Sequence, residues 1–157
     1  MSNITTVILA AGRSKRFKAK TSKLIYPLCG LPIISHVYSV AKKISGKKVV
    51  VVCNKENINE LKSILKDCVF VIQNQQRGTA DAIEQAKNKI NSKNVLVLFG
   101  DTPLITLSSI KKLIKKFLTS KAKASLIAFR TGTPFGYGRL LTKNNILEEI
   151  IDCLLYT

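Results

Sequence analysis

Three short polar segments of this chain each follow directly on an apolar run, and each carries groups able to handle a phosphorylated ligand. In LAAGRSKRF, residues 9–17, small residues and Gly12 free the backbone amides to face an anion, which makes a cradle. Arg13, Lys15 and Arg16 add cationic groups, and Lys20 and Lys23 follow. That density suits a triphosphate whose charge grows as pyrophosphate leaves. The segment is neither a Walker A loop, lacking Gly-Lys before Ser or Thr, nor GxGxxG. Taken alone, small residues and lysines after a strand also fit an ordinary solvated turn.

The segment QNQQRGTADA, residues 73–82, places polar amides before a Gly-Thr helix start. Gln73 and Gln76 can each donate and accept, as reading the edge of a nucleobase requires, and Gly78 lets the base approach the backbone. A polar loop in which Thr79 merely caps a helix is the alternative. In LVLFGDTPLI, residues 96–105, Asp101 stands just past an apolar run. A carboxylate there can ligate a hard cation such as Mg²⁺, with substrate phosphates completing the octahedron. Asp before Thr-Pro also serves as a turn or helix cap. TPFGYGRL, residues 133–140, supplies Gly136 and Gly138 for close backbone approach, beside Tyr137 and Arg139. The only histidine, His36, lies in the apolar segment 33–40 and is expected to be structural.

These groups must be held by regular elements. Apolar runs without alternation recur at 4–10, 49–53, 69–72, 95–99 and 125–129, as in strands buried on both faces. Helical spacing occupies 33–44, 58–65, 79–90 and 107–118, and in the third of these Ala82, Ala86 and Ile90 share one face. The alternation predicts an α/β, Rossmann-like fold, a mostly parallel sheet with helices on both faces, in a single domain spanning 1–157. Open sheets of this kind bind ligands beyond the carboxyl ends of their strands. The polar segments above fall there.

Composition narrows the function further. With 46% hydrophobic and 22% charged residues the chain reads as globular. No uninterrupted apolar stretch approaches the ~18 residues of a membrane span, and the N-terminus has its charges after its apolar run, the reverse of a secretory signal. A cytoplasmic location is expected, with no membrane partner. The four cysteines, Cys29, Cys53, Cys68 and Cys153, lack CxxC spacing and are expected to be reduced and mostly packing residues, Cys53 and Cys68 beside apolar strand-like runs. The formal charge of +17, from 26 Lys and Arg against 9 Asp and Glu, raises nucleic-acid binding. Lysines at 42, 43, 47 and 48 and at 111, 112, 115 and 116 flank helical patterns without interleaved aromatics for base stacking. Small polyanionic nucleotides are the expected partners, and nucleic acid is not.

LAAGRSKRF, Lys23, QNQQRGTADA, FGDTPLI and PFGYGR, in this order and spacing, resemble the uridyltransferase half of bacterial bifunctional N-acetylglucosamine 1-phosphate uridyltransferase/glucosamine 1-phosphate acetyltransferase. The resemblance covers essentially the whole chain. It implies the nucleotide-diphospho-sugar transferase type of fold and a Mg²⁺-dependent reaction joining UTP and N-acetylglucosamine 1-phosphate. It further implies that Leu9, Ala10, Ala11 and Gly12 cradle the nucleotide, that Arg16 and Lys23 neutralise the reacting phosphates, and that Gln73, Gln76 and Gly78 bind uracil. Thr79 would lie near sugar and base, Asp101 would hold Mg²⁺, and Gly138 and Asp152 would contact the sugar.

The sequence departs from the family pattern at Ser14, where glycine is usual, at Ser22 for proline, at Phe99 for tyrosine, and at Asp152 for a glutamate one methylene longer. Only CLLYT follows Asp152, whereas the family continues with an asparagine on the sugar, a second protein ligand to the metal and the β-helix acetyltransferase domain. The expectation is therefore a domain incomplete at its C-terminus, impaired in turnover, without acetyl transfer, and prone to association that covers the open edge. A non-catalytic nucleotide-binding remnant, and a nucleotidyltransferase for another sugar phosphate, are the competing expectations.

Overall fold

The computed structural model describes residues 3–12, 22–133, 136–144 and 146–151. They fall into two compact units, Met1–Ala122 and Lys123–Thr157. The first runs in chain order through β1 (Ile4–Leu9), a 3-10 turn (Lys23–Ile25), β2 (Pro27–Leu28), β3 (Leu31–Pro32), α1 (Ile33–Ser45), β4 (Val49–Cys53), α2 (Ile58–Ile64), β5 (Val69–Ile72), α3 (Thr79–Ala86), a second 3-10 turn (Lys87–Lys89), β6 (Asn94–Phe99) and α4 (Leu107–Thr119). Four strands form a parallel sheet in the order β5-β4-β1-β6.

The sequence of β4, VVVVC, explains why no polar alternation marks these strands: all five residues are buried. Strand geometry sends successive side chains to opposite faces. Val49, Val51 and Cys53 meet Ile34, Val37 and Ala41 of α1, Leu61 of α2 and Ile110 of α4, while Val50 and Val52 meet Ala82 and Ala86 of α3. Helices thus cover both faces, as the pattern predicts. Each fully buried Val or Ile contributes roughly 1.5–3 kcal/mol. Burial also pushes the Cys53 thiol up to about 11, so it packs as an inert hydrophobe. Cys68 is half-buried, Cys29 is exposed instead of packed, and Cys153 lies outside the described residues.

Between β1 and the site-bearing helices, a hairpin turns through Cys29 (φ 50°) and Gly30 (φ 79°), the positive-φ pair of a tight two-residue turn. His36 ties this hairpin to α1 through a 2.9 Å hydrogen bond between Nε2 and the Leu28 carbonyl, which is the structural role expected of it. The lysines of α4 at 111, 112, 115 and 116 are exposed, as solvated faces should be. Among the described residues no helix is long and apolar enough to cross a membrane.

Two boundaries differ from the sequence pattern. The segment expected to be helical through residue 90 leaves the α conformation after Ala86, yet Ile90 still packs beside Ala82 and Ala86 on the face predicted for it. The apolar run 125–129 is not a strand: it lies in the second unit, and Leu126, Ile127 and Phe129 are all exposed. Apolar content alone does not make a strand, because a strand needs a ladder partner, and among the described residues this run has none. The second unit instead holds an antiparallel hairpin of β7 (Arg139–Lys143) and β8 (Ile146–Ile151), together with an edge-to-face contact of Phe129 on Tyr137 at 5.0 Å between centroids.

Candidate functional site

The carboxyl end of β1 is fixed by side chains from two other loops. Ala10 donates its N–H to the Val52 carbonyl at 2.7 Å. Its own carbonyl accepts from Asn57 Nδ2 at 2.8 Å, and the Ala11 carbonyl accepts from Asn54 Nδ2 at 3.0 Å and Gln76 Nε2 at 2.6 Å. The two asparagines hold each other: Asn54 donates its N–H to Asn57 Oδ1, and Asn54 Oδ1 accepts from the N–H groups of Glu56 and Asn57. Both are buried, so these bonds satisfy groups that water cannot reach. With the carbonyls of Ala10 and Ala11 committed, the N–H groups of Ala11 and Gly12 make no hydrogen bond to a described residue. Gly12 also has open space where a Cβ would point. Residues 9–12 thus form a candidate cradle, with two backbone amides uncommitted among the described residues.

This cradle is one wall of a cleft of about 290 Å³ at the carboxyl ends of the parallel strands. Leu9, Ala10, Ala11 and Gly12 line it from β1; Gln73, Gln76, Gly78, Thr79 and Ala82 from the loop after β5 and the start of α3; and Phe99 and Asp101 from the end of β6, with Leu24 below them. Gly78 has φ 111° and ψ −176°, a conformation open in practice only to glycine, and open space where a Cβ would point. Thr79 is the first residue of α3, whose N-cap is Gly78; no side chain caps this helix.

Both glutamines donate to the protein. Gln73 Nε2 donates to Asp81 Oδ2 at 2.6 Å and to the Gly78 carbonyl at 3.3 Å, and Gln76 Nε2 donates to Ala11. The Gln73 amide bonds the charged form of Asp81 and, with Arg77, holds its carboxyl below the usual carboxylate range. The folded value lies below the unfolded one, so this contribution is complete above the ordinary value of 3.8 and is lost as pH falls through the lower, folded value.

Asp101 extends from the turn after β6 and pairs with Lys23 Nζ at 3.2 Å, bringing together two residues 78 positions apart in sequence. Gly100 sets this turn: its N–H donates to the Leu9 carbonyl at 2.9 Å, and a Cβ there would sit 3.1 Å from the same oxygen. A larger residue would push Asp101 out of line. Among the described residues no three of His, Cys, Asp or Glu converge on one point. The Asp101 carboxylate is a hard oxygen donor of the kind that suits Mg²⁺ arriving on nucleotide phosphates.

Of the residues expected at the site, nine of those lining the cleft are brought together, and Lys23 joins them through Asp101. Gly138 belongs to the second unit, where a Cβ would meet the Ile151 carbonyl oxygen at 3.2 Å. Arg16 and Asp152 lie outside the described residues. Asn54, Asn57 and Asp81 were not legible as site residues. The signal available for the asparagines is an Asn-x-x-Asn step directly after an apolar strand, which is an Asx-turn pattern.

Comparison with known proteins agrees with this geometry. The model of the MobA-like NTP transferase domain matches residues 6–152. The chain is 40% identical over 154 residues to the bifunctional protein GlmU of Buchnera aphidicola subsp. Schizaphis graminum, covering 95% of this chain and 32% of that protein. It is 35% identical over 152 residues to that of Clostridioides difficile, covering 96% and 33%. The chain thus spans about a third of the length of the curated relatives it matches. Among solved structures, one described as a glucose-1-phosphate thymidylyltransferase of Bacillus anthracis superposes with a TM-score of 0.84 at 20% identity, covering 96% of this chain and 64% of that one. The bifunctional IspDF of Campylobacter jejuni gives 0.64 at 26% identity over 74% of this chain and 31% of that one. A parallel α/β sheet, a match over residues 6–152 and these relatives lead to one conclusion: the chain belongs to the MobA-like NTP transferase domain family.

Proposed function

We propose that this nucleotidyltransferase domain joins UTP and N-acetylglucosamine 1-phosphate, giving UDP-N-acetylglucosamine and pyrophosphate. The observation that carries the reading is the convergence, in one cleft, of the Ala11–Gly12 cradle, the oriented amides of Gln73 and Gln76, and Asp101 with Lys23. The likeness to the GlmU proteins supports the choice of sugar phosphate.

In this account an oxygen of the sugar 1-phosphate attacks the α-phosphorus of UTP, and the bond to the β-phosphate breaks with its electrons leaving on pyrophosphate. No enzyme nucleophile is required; the chain contributes position and charge. Leu9, Ala10, Ala11 and Gly12 hold the phosphates, while Gln73, Gln76, Gly78 and Thr79 hold the uridine. Mg²⁺ supplies charge neutralisation at the phosphate oxygens when bound. Lys23, paired with Asp101 in the structure, and Arg16 are assigned to neutralise the reacting phosphates. Gly138 and Asp152 are assigned to the sugar.

A pyrophosphate-release assay tests the reading. We expect release that requires UTP, Mg²⁺ and N-acetylglucosamine 1-phosphate together. Equal release when GTP or ATP replaces UTP, or none with the full set, would count against it.

A further inference from the structure

A free glutamine side chain reads bases ambiguously, because its amide can turn to offer either an oxygen or an NH₂ group. Gln73 has lost that freedom. Its NH₂ faces the Asp81 carboxylate at 2.6 Å and the Gly78 carbonyl at 3.3 Å, and both are acceptors that cannot donate. Turning the amide over would set its oxygen against two oxygens. Gln73 is 5% exposed, its Oε1 makes no hydrogen bond to a described residue, and the side chain lines the cleft. Gln76 donates one N–H to Ala11 and retains a second N–H and its oxygen.

We propose that Asp81 is a positioning residue that locks Gln73 with only its oxygen toward the cleft, and so makes the cleft select imide bases, uracil or thymine, over cytosine. The inference rests on the uridine reading above. An imide presents a ring N–H between two carbonyls. The fixed Gln73 oxygen accepts from that N–H, and the remaining N–H of Gln76 donates to a flanking carbonyl. Cytosine has a bare lone pair at the same ring nitrogen, which would face the locked oxygen and leave two acceptors without a donor between them. Arg77, 3.3 Å from the other Asp81 oxygen, and Gln85 keep the carboxylate anchored from the helix side.

The test is the ratio of UTP to CTP affinity, by calorimetry with Mg²⁺, in the wild type and in Asp81→Asn. The variant keeps the size of the side chain but can donate, so Gln73 is free to present its NH₂. We expect the wild type to favour UTP by at least about tenfold and the variant to lose most of that ratio, with CTP gaining. A side-chain amide NMR signal from Gln73 that moves in Asp81→Asn, while signals from the sheet stay in place, separates the lock from a general loss of fold. An unchanged ratio and an unmoved Gln73 signal in the variant would overturn the lock while leaving the uridine reading intact. No UTP preference in the wild type would overturn both.

Discussion

Asp101→Asn is expected to lower pyrophosphate release by at least about 100-fold and to weaken the Mg²⁺ dependence of UTP binding, with the thermal midpoint shifted by no more than about 2 °C. The side chain lies in an exposed turn held by backbone contacts of Gly100 to Leu9, which the substitution leaves untouched. Its ion pair with Lys23 is surface-exposed on both sides, and such pairs contribute about 0–1 kcal/mol, so stability changes little. Function should change greatly. Asn keeps the shape of the side chain proposed to hold Mg²⁺ but loses its charge. Misplacement of reacting oxygens by about 1 Å is enough for a 100-fold loss. Titration of UTP across Mg²⁺ concentrations checks it; an unchanged Mg²⁺ dependence would reduce Asp101 to a turn residue.

Asn54→Ala should do the opposite in kind, damaging fold and cradle together. The side chain serves three groups: it donates to the Ala11 carbonyl and accepts from the N–H groups of Glu56 and Asn57, the residue whose own amide holds Ala10. Truncation leaves two backbone amides and a share of one carbonyl unpaired at a buried site. Each such orphan costs about 1–3 kcal/mol, partly recovered by relaxation, so a net loss of about 2–3 kcal/mol is expected. For a chain of this size that lowers the thermal midpoint by roughly 4–12 °C. UTP affinity should fall as well, because the Ala11 and Gly12 amides would no longer be held in line. Thermal denaturation beside calorimetry checks both; a stable variant that binds UTP normally would mean the cradle does not depend on the asparagine pair.

Much of this was legible before any coordinates. The strands at 49–53 and 69–72 and the helix start at Thr79 follow from apolar runs bounded by Asn, Gln and Gly, and the ligand-binding end of the sheet follows from parallel strand direction. Asp101 stood out as a candidate because a carboxylate just past an apolar run can ligate a hard cation, although the same step before Thr-Pro also suits a turn. The asparagines were missed for a physical reason: Asn54 and Asn57 act on the backbone of residues more than 40 positions away, and no local pattern reports which carbonyl a side chain will meet. Asp81 was missed because a first-turn acid on a helix is expected to face solvent and the helix dipole, and its bond to Gln73 exists only once β5 and α3 are placed. The run 125–129 misled in the other direction, since its apolar content suggested a strand and the missing ladder partner is a tertiary fact.

Calorimetric titration of the chain with UTP and with ATP, each with Mg²⁺, decides whether the cleft reads a uridine triphosphate. The account predicts UTP binding at least about tenfold tighter, and a loss of about 1–3 kcal/mol of that binding in Gln76→Ala, which removes both the base contact and a tie to Ala11. Equal affinities for the two nucleotides, or no binding of UTP at millimolar concentration, would contradict it.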